Sequence, residues 1–183
     1  VKTEPGFLAD KAIFDHDVLV MHFKNYDPLP NEEKCKANLQ RFVAEGRGLV
    51  MLHFACGAFE KWPQFVDLAG MVWDQKTGHD PRGPFRVEIK DAKHPIAQGM
   101  KDFQADDELY TCLVGKKDVT VVATARSIIT KKDHAMAFVQ PFGKGRVFHT
   151  PLGHDAKAFQ MPGVAELIRR GTAWAAGKSV APN

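Results

Sequence analysis

Asp17-Val18-Leu19-Val20-Met21-His22-Phe23 is a nearly unbroken apolar run. A strand buried on both faces has this pattern. A loop, Asn25-Tyr26-Asp27-Pro28-Leu29-Pro30, follows it. From Asn31 the period changes. Cys35, Leu39, Phe42 and Val43 fall at i, i+4, i+7 and i+8, which makes one apolar stripe on a helix. Asn31 is placed to cap that helix, Glu32 and Glu33 suit its positive end, and Gly46 suits its stop. A second buried run, Gly48-Leu49-Val50-Met51-Leu52-His53, completes a strand–helix–strand unit. That unit implies a right-handed crossover and a parallel sheet.

Further along, Pro63 opens a short helix towards Gly70, and Phe85–Lys90 alternates like a half-exposed strand. Strands are predicted over Glu108–Val114, Val119–Ala125, Ala135–Gln140 and Arg146–Thr150, the last two joined by a hairpin at Gly143-Lys144-Gly145. Pro162 opens a final helix that buries Val164, Leu167, Ile168 and Trp174 and stops at Gly177. The pattern is that of one α/β domain over residues 1–183, with a mostly parallel sheet and a late antiparallel hairpin. Strand Asp17–Phe23, if buried on both faces, needs a neighbour on each side. Val1–Phe14 is too short for another strand and its helix. The expectation is a further N-terminal βα unit of about 30–50 residues, its strand lying beside Gly48–His53.

Composition narrows the function. The chain has 183 residues, 44% hydrophobic and 26% charged, with a net charge of +3, too small to suggest nucleic acid. No apolar run approaches the roughly 20 residues of a membrane helix. Cys35, Cys56 and Cys112 form no CxxC pair and suggest neither a disulfide framework nor a zinc knuckle. The first residue is Val, so localisation, cytoplasmic or exported, is undecided, and a homo-oligomer is left open.

In an open parallel sheet, ligands bind at the carboxyl ends of strands. His53 follows one strand, and His154-Asp155 follows the strand Arg146–Thr150. His79 lies in a polar loop, and Asp106-Asp107-Glu108 stands at a strand start, where mutual repulsion or burial raises a carboxyl pKa. The plainer readings are strand-capping histidines and a solvated acidic turn. Trp62, Trp73 and Tyr110 are aromatic candidates for packing on sugar faces.

An ordered series of pieces then suggests a family: Gly48–His53 with Trp62-Pro63; Gly78-His79; His94-Pro95-Ile96; Asp107-Glu108-Leu109-Tyr110; Gly143–Phe148; Leu152-Gly153-His154; and Arg170–Gly177. The series resembles trehalose-utilisation (ThuA-like) proteins over about Asp17–Gly177. The resemblance implies a three-layer flavodoxin-like fold similar to class I glutamine amidotransferases. It also implies a role in disaccharide or keto-sugar metabolism. His53, His79, Glu108 and His154 are its catalytic candidates, and Trp62, Asp107, Tyr110 and Asp155 are candidates for substrate binding. The amidotransferase nucleophile is missing: Ala55 stands where Gly-x-Cys-x-Gly would place the cysteine, and Cys56 is one residue off.

Four readings follow. The leading one is histidine/carboxylate acid–base chemistry on a sugar without a cofactor. The others are a zinc-dependent hydrolase using the same polar cleft, a non-catalytic carbohydrate-binding or assembly module, and a hydrolase with Cys56 as nucleophile.

Overall fold

The structure is a computed structural model and describes residues 2, 4–116 and 118–180. Val1 and Thr3 of the N-terminal stretch fall outside it. Two short 3-10 turns, Pro5–Ala9 and Lys11–Asp15, lead into strand β1 (Val18–Met21). Helix α1 (Glu32–Ala44) and strand β2 (Gly48–Leu52) complete the expected unit. After a 3-10 turn over His53–Gly57 come α2 (Phe65–Ala69), β3 (Met71–Val72), β4 (Gly78–His79) and β5 (Gly83–Ile89). Strands β6 (Phe103–Asp107), β7 (Tyr110–Thr111), β8 (Val114–Gly115), β9 (Thr120–Arg126), β10 (Asp133–Phe142) and β11 (Gly145–Thr150) follow. Helices α3 (Ala156–Gln160) and α4 (Pro162–Ala175) close the chain.

The main sheet has the order β1-β2-β11-β10-β9-β5-β6. Strand β2 pairs in parallel with β1 and β11, and the remaining pairings are antiparallel. Following those pairings across the sheet, only β5 and β10 oppose the common direction. The carboxyl ends of β1, β2, β11 and β6 therefore share one rim. Helices cover both faces, giving the three-layer, flavodoxin-like α/β arrangement.

Strand β2 shows why its sequence is apolar throughout. Leu49 and Met51 face α1, α2 and the N-terminal turns, whereas Val50 and Leu52 join the core containing Val164 and Leu167 of α4. The helical stripe Cys35, Leu39, Phe42 and Val43 is fully buried, as its spacing requires. Three close approaches seat α4. Gly48 meets the backbone of Ala175, Gly171 meets the Phe148 ring, and Gly163 meets the Phe103 ring. Phe148 is on β11 and Phe103 on β6, and α4 also touches β1, so one helix reaches both ends of the sheet order and the sheet curls around it.

Several expectations change. Among the described residues β2 alone pairs with β1, whose other edge carries no strand, with Val20 52% exposed. Both edges of β2 are taken, by β1 and β11, so the place expected for a further strand beside Gly48–His53 is filled. Asn31 is left-handed (φ 56°) and makes no side-chain cap; Glu32 instead accepts the Leu29 N–H at 2.9 Å. The strand predicted over Glu108–Val114 is split into β7 and β8, which pair with β4 and β3 outside the main sheet.

Replacing Gly171 by Ala adds helix propensity of about 1 kcal/mol. The new methyl meets the fully buried Phe148 ring, and such overpacking costs about 1–3 kcal/mol. We expect net destabilisation in urea unfolding; a more stable variant would show that the ring gives way freely. His149 is buried and donates from Nδ1 to the Ala69 carbonyl at 3.2 Å, and burial pushes its pKa down to about 4. The folded state thus takes up its proton less readily than the unfolded chain, whose histidine titrates near about 6.5. Its contribution is whole above that pH and is lost as pH falls towards about 4. The urea midpoint of His149→Gln should therefore fall less than wild type between pH 7 and 4.5.

Candidate active site

His53 leaves β2 in the left-handed region (φ 48°), a strained setting for a residue with a Cβ. The turn aims its ring across the rim. Its Nδ1–H donates to the Pro151 carbonyl at 3.0 Å, and because a carbonyl only accepts, Nδ1 carries the proton. The neutral ring therefore presents an unprotonated Nε2. Burial is the main cause that pushes the His53 pKa down to about 4. The Tyr110 hydroxyl donates to that Nε2 at 2.8 Å.

Two more donor atoms converge there. His154 Nδ1 lies 3.2 Å from His53 Nε2. Glu108 Oε2 lies 3.7 Å from His53 Nε2 and 3.3 Å from His154 Nδ1. The Glu108 side chain is 17% exposed, and among the described residues its ion-pair partners are all histidines. His79 stands at the margin. Its Nδ1–H donates to the Asp80 carbonyl at 2.8 Å and lies 3.9 Å from Glu108 Oε1.

Glu108 reaches this rim because Asp107 pins the chain. The buried Asp107 carboxylate accepts the N–H groups of Gly153 (2.6 Å), Glu108 (2.8 Å) and His154 (3.1 Å). Burial raises its pKa, and those three donors oppose the rise. One side chain thus ties the end of β6 to the loop after β11.

The structure brings His53, Glu108 and His154 together, with Tyr110 against them and His79 beside them. It gives other places to the rest of the expected set. Asp107 is buried, and its oxygens accept the backbone N–H groups that position its neighbours. Tyr110 is buried, and its ring packs against His53 and Trp73 instead of offering an open face. Asp155 caps α3 through the Ala158 N–H and pairs with Arg82 at 2.9 Å. Trp62 stacks on Phe65 and lines a separate cavity of about 320 Å³ with Phe59, Trp73 and Asp74. Cys56 is buried, and burial pushes its thiol up to about 12, the reverse of an activated nucleophile.

Sequence reasoning missed His22. Its Nε2–H donates to the Gly153 carbonyl at 2.9 Å, and its ring packs edge-on to Phe159. The position just past a strand end would have found it, had β1 not been drawn through to Phe23.

The trehalose-utilisation (ThuA) family matches the sequence over residues 1–175. This chain belongs to the ThuA family. The family lies in the class I glutamine amidotransferase-like superfamily and implies a role in trehalose utilisation or carbohydrate metabolism. Among solved structures, a ThuA-like protein from Parabacteroides merdae is 25% identical, with a TM-score of 0.84 over 100% of this chain and 77% of that one. Another, from Bacteroides uniformis, is 20% identical, with a TM-score of 0.74 over 96% of this chain and 75% of that one. A β-galactosidase from Bacillus circulans shares the fold at 15% identity and a TM-score of 0.58, over 96% of this chain and 25% of that one. No curated protein matches the ThuA chain described here. Among the described residues no helix is long and apolar enough to cross a membrane.

Asp107→Asn sets an amide NH₂ against backbone N–H groups that now donate to a carboxylate. We expect a loss of about 1–3 kcal/mol in chemical unfolding. The His154 ring signals should broaden in NMR spectra. Unchanged stability with sharp His154 signals would mean that the three contacts do not hold the loop.

Proposed function

We propose that this ThuA protein is an enzyme that transforms a disaccharide or keto-sugar, with His53, Glu108 and His154 as its reaction centre. The observation that carries this reading is the convergence of two imidazole nitrogens and a carboxylate oxygen within 3.7 Å at the carboxyl rim of the sheet. Ligands of open α/β sheets bind at such a rim.

The chemistry follows from the donor set. A keto group acidifies the neighbouring C–H. A base in the cluster can take that proton while the C–H electron pair moves onto the carbonyl oxygen. Return of the proton at another carbon gives isomerisation; departure of a β-oxygen substituent gives elimination. Direct glycoside hydrolysis ordinarily needs two free carboxyl groups. Here Glu108 is one, while Asp107 is committed to three backbone donors. This favours proton transfer on a keto-sugar over ordinary glycosidase action.

The test is turnover of trehalose, related disaccharides and their 3-keto forms. His53→Ala and His154→Ala should each lower kcat/KM by at least about 100-fold, the usual worth of an acid–base group. Sugar binding that persists in both variants, with no turnover even in wild type, would instead identify a carbohydrate-binding module.

A further inference from the structure

The cluster gathers more acceptor capacity than its neighbours satisfy. His53 Nε2 is unprotonated because Nδ1–H is committed to Pro151; it takes the Tyr110 hydroxyl at 2.8 Å and lies 3.7 Å from the Glu108 carboxylate. His154 Nδ1 stands between them, 3.2 Å from His53 Nε2 and 3.3 Å from Glu108 Oε2, and with its proton on Nε2 it brings a third lone pair to the same point. Among the described residues no Lys or Arg forms an ion pair with Glu108.

We propose that His53 Nε2, His154 Nδ1 and Glu108 Oε2 hold a divalent transition-metal ion of the zinc type. Their separations are 3.2, 3.3 and 3.7 Å. Tetrahedral zinc with bonds of 2.0–2.1 Å sets its ligands about 3.4 Å apart. A triangle with the observed sides has a circumradius of about 2.0 Å, so an ion with bonds of about 2.1 Å sits just off its plane, as a tetrahedral site requires. All three atoms of this mixed nitrogen and oxygen set lie within 4.8 Å of one another. His53 is also held from behind as metal-site histidines are. The Nδ1–H of His53 is anchored on a backbone carbonyl, which fixes both tautomer and ring plane. Two neutral imidazoles and one carboxylate leave a bound dication with one net positive charge and an open fourth position, the pattern of catalytic zinc sites.

The proposal rests on the cluster being the reaction centre and reassigns its parts. With the three lone pairs on a cation, the Tyr110 hydroxyl is released from His53 Nε2 and becomes the nearest proton donor. The ion itself would polarise a sugar carbonyl or hydroxyl oxygen.

The experiment uses the full chain without a histidine tag, stripped with chelator and titrated with Zn²⁺ by calorimetry and with Co²⁺ by visible absorption. We expect one ion per chain and a tetrahedral Co²⁺ spectrum. His154→Ala and Glu108→Gln should each weaken binding by at least about 100-fold, since even outer partners of a ligand are worth 10–100-fold. The variant His16→Ala, at an exposed histidine away from the cluster, should bind as wild type does. Circular dichroism checks that each variant is folded. Absent uptake by the folded wild type, or uptake unchanged in both ligand variants, overturns the proposal. Sugar turnover without metal uptake would keep the sugar reading and remove the metal. Stoichiometric uptake without turnover of any sugar would do the reverse.

Discussion

The Asp107 carboxylate, buried and gripping three backbone N–H groups, is the contact on which the candidate site depends. Strand β6 is the last in the sheet order, four strands away from β11. Without a tie between them, Glu108 would sit at a sheet edge with only the marginal His79 beside it and His154 out of reach. The tie joins the ends of β6 and β11, and the curl of the sheet around α4 makes that junction geometrically available. A charged acceptor suits the task, because hydrogen bonds to an ionised group are stronger than neutral ones and hold a loop more firmly.

The same constraint explains how packing becomes chemistry. Gly48, Gly163 and Gly171 let α4 sink against Ala175's own backbone neighbour on β2 and against the Phe103 and Phe148 rings. A sheet drawn in at both ends brings its carboxyl rim to one point. The strained backbone at His53 then turns an imidazole towards that point. The polar cluster is therefore the product of apolar contacts elsewhere in the fold.

Much of this was legible in the chain, for physical reasons. The stripe Cys35–Val43 and the run Gly48–Leu52 are periodic and buried, so pattern and structure agree there. Gly143-Lys144-Gly145 marked its hairpin because the turn needs the positive φ that Gly143 adopts. His53 and His154 could be picked out because strand ends are where open sheets bind. Apart from the local miss at Asn31, the errors concern partners distant in sequence. Nothing near Asp107 says that its oxygens will be taken by Gly153, and nothing near Tyr110 says that its hydroxyl will reach His53.

Main-chain carbonyls set the proton positions of this site. Pro151 fixes His53, Asp80 fixes His79 and Gly153 fixes His22. A carbonyl has the same chemistry whatever side chain its residue bears. The protonation pattern is thus encoded in the path of three loops and not in the identities of the residues that supply the oxygens. An exchange at Pro151 that keeps the backbone path leaves the His53 Nε2 lone pair towards Glu108, whereas Gly153, at φ 111° and close against the Phe159 ring, admits no side chain without strain. Conversely, a single inserted residue in the loop after β11 could invert a tautomer while leaving every histidine in place.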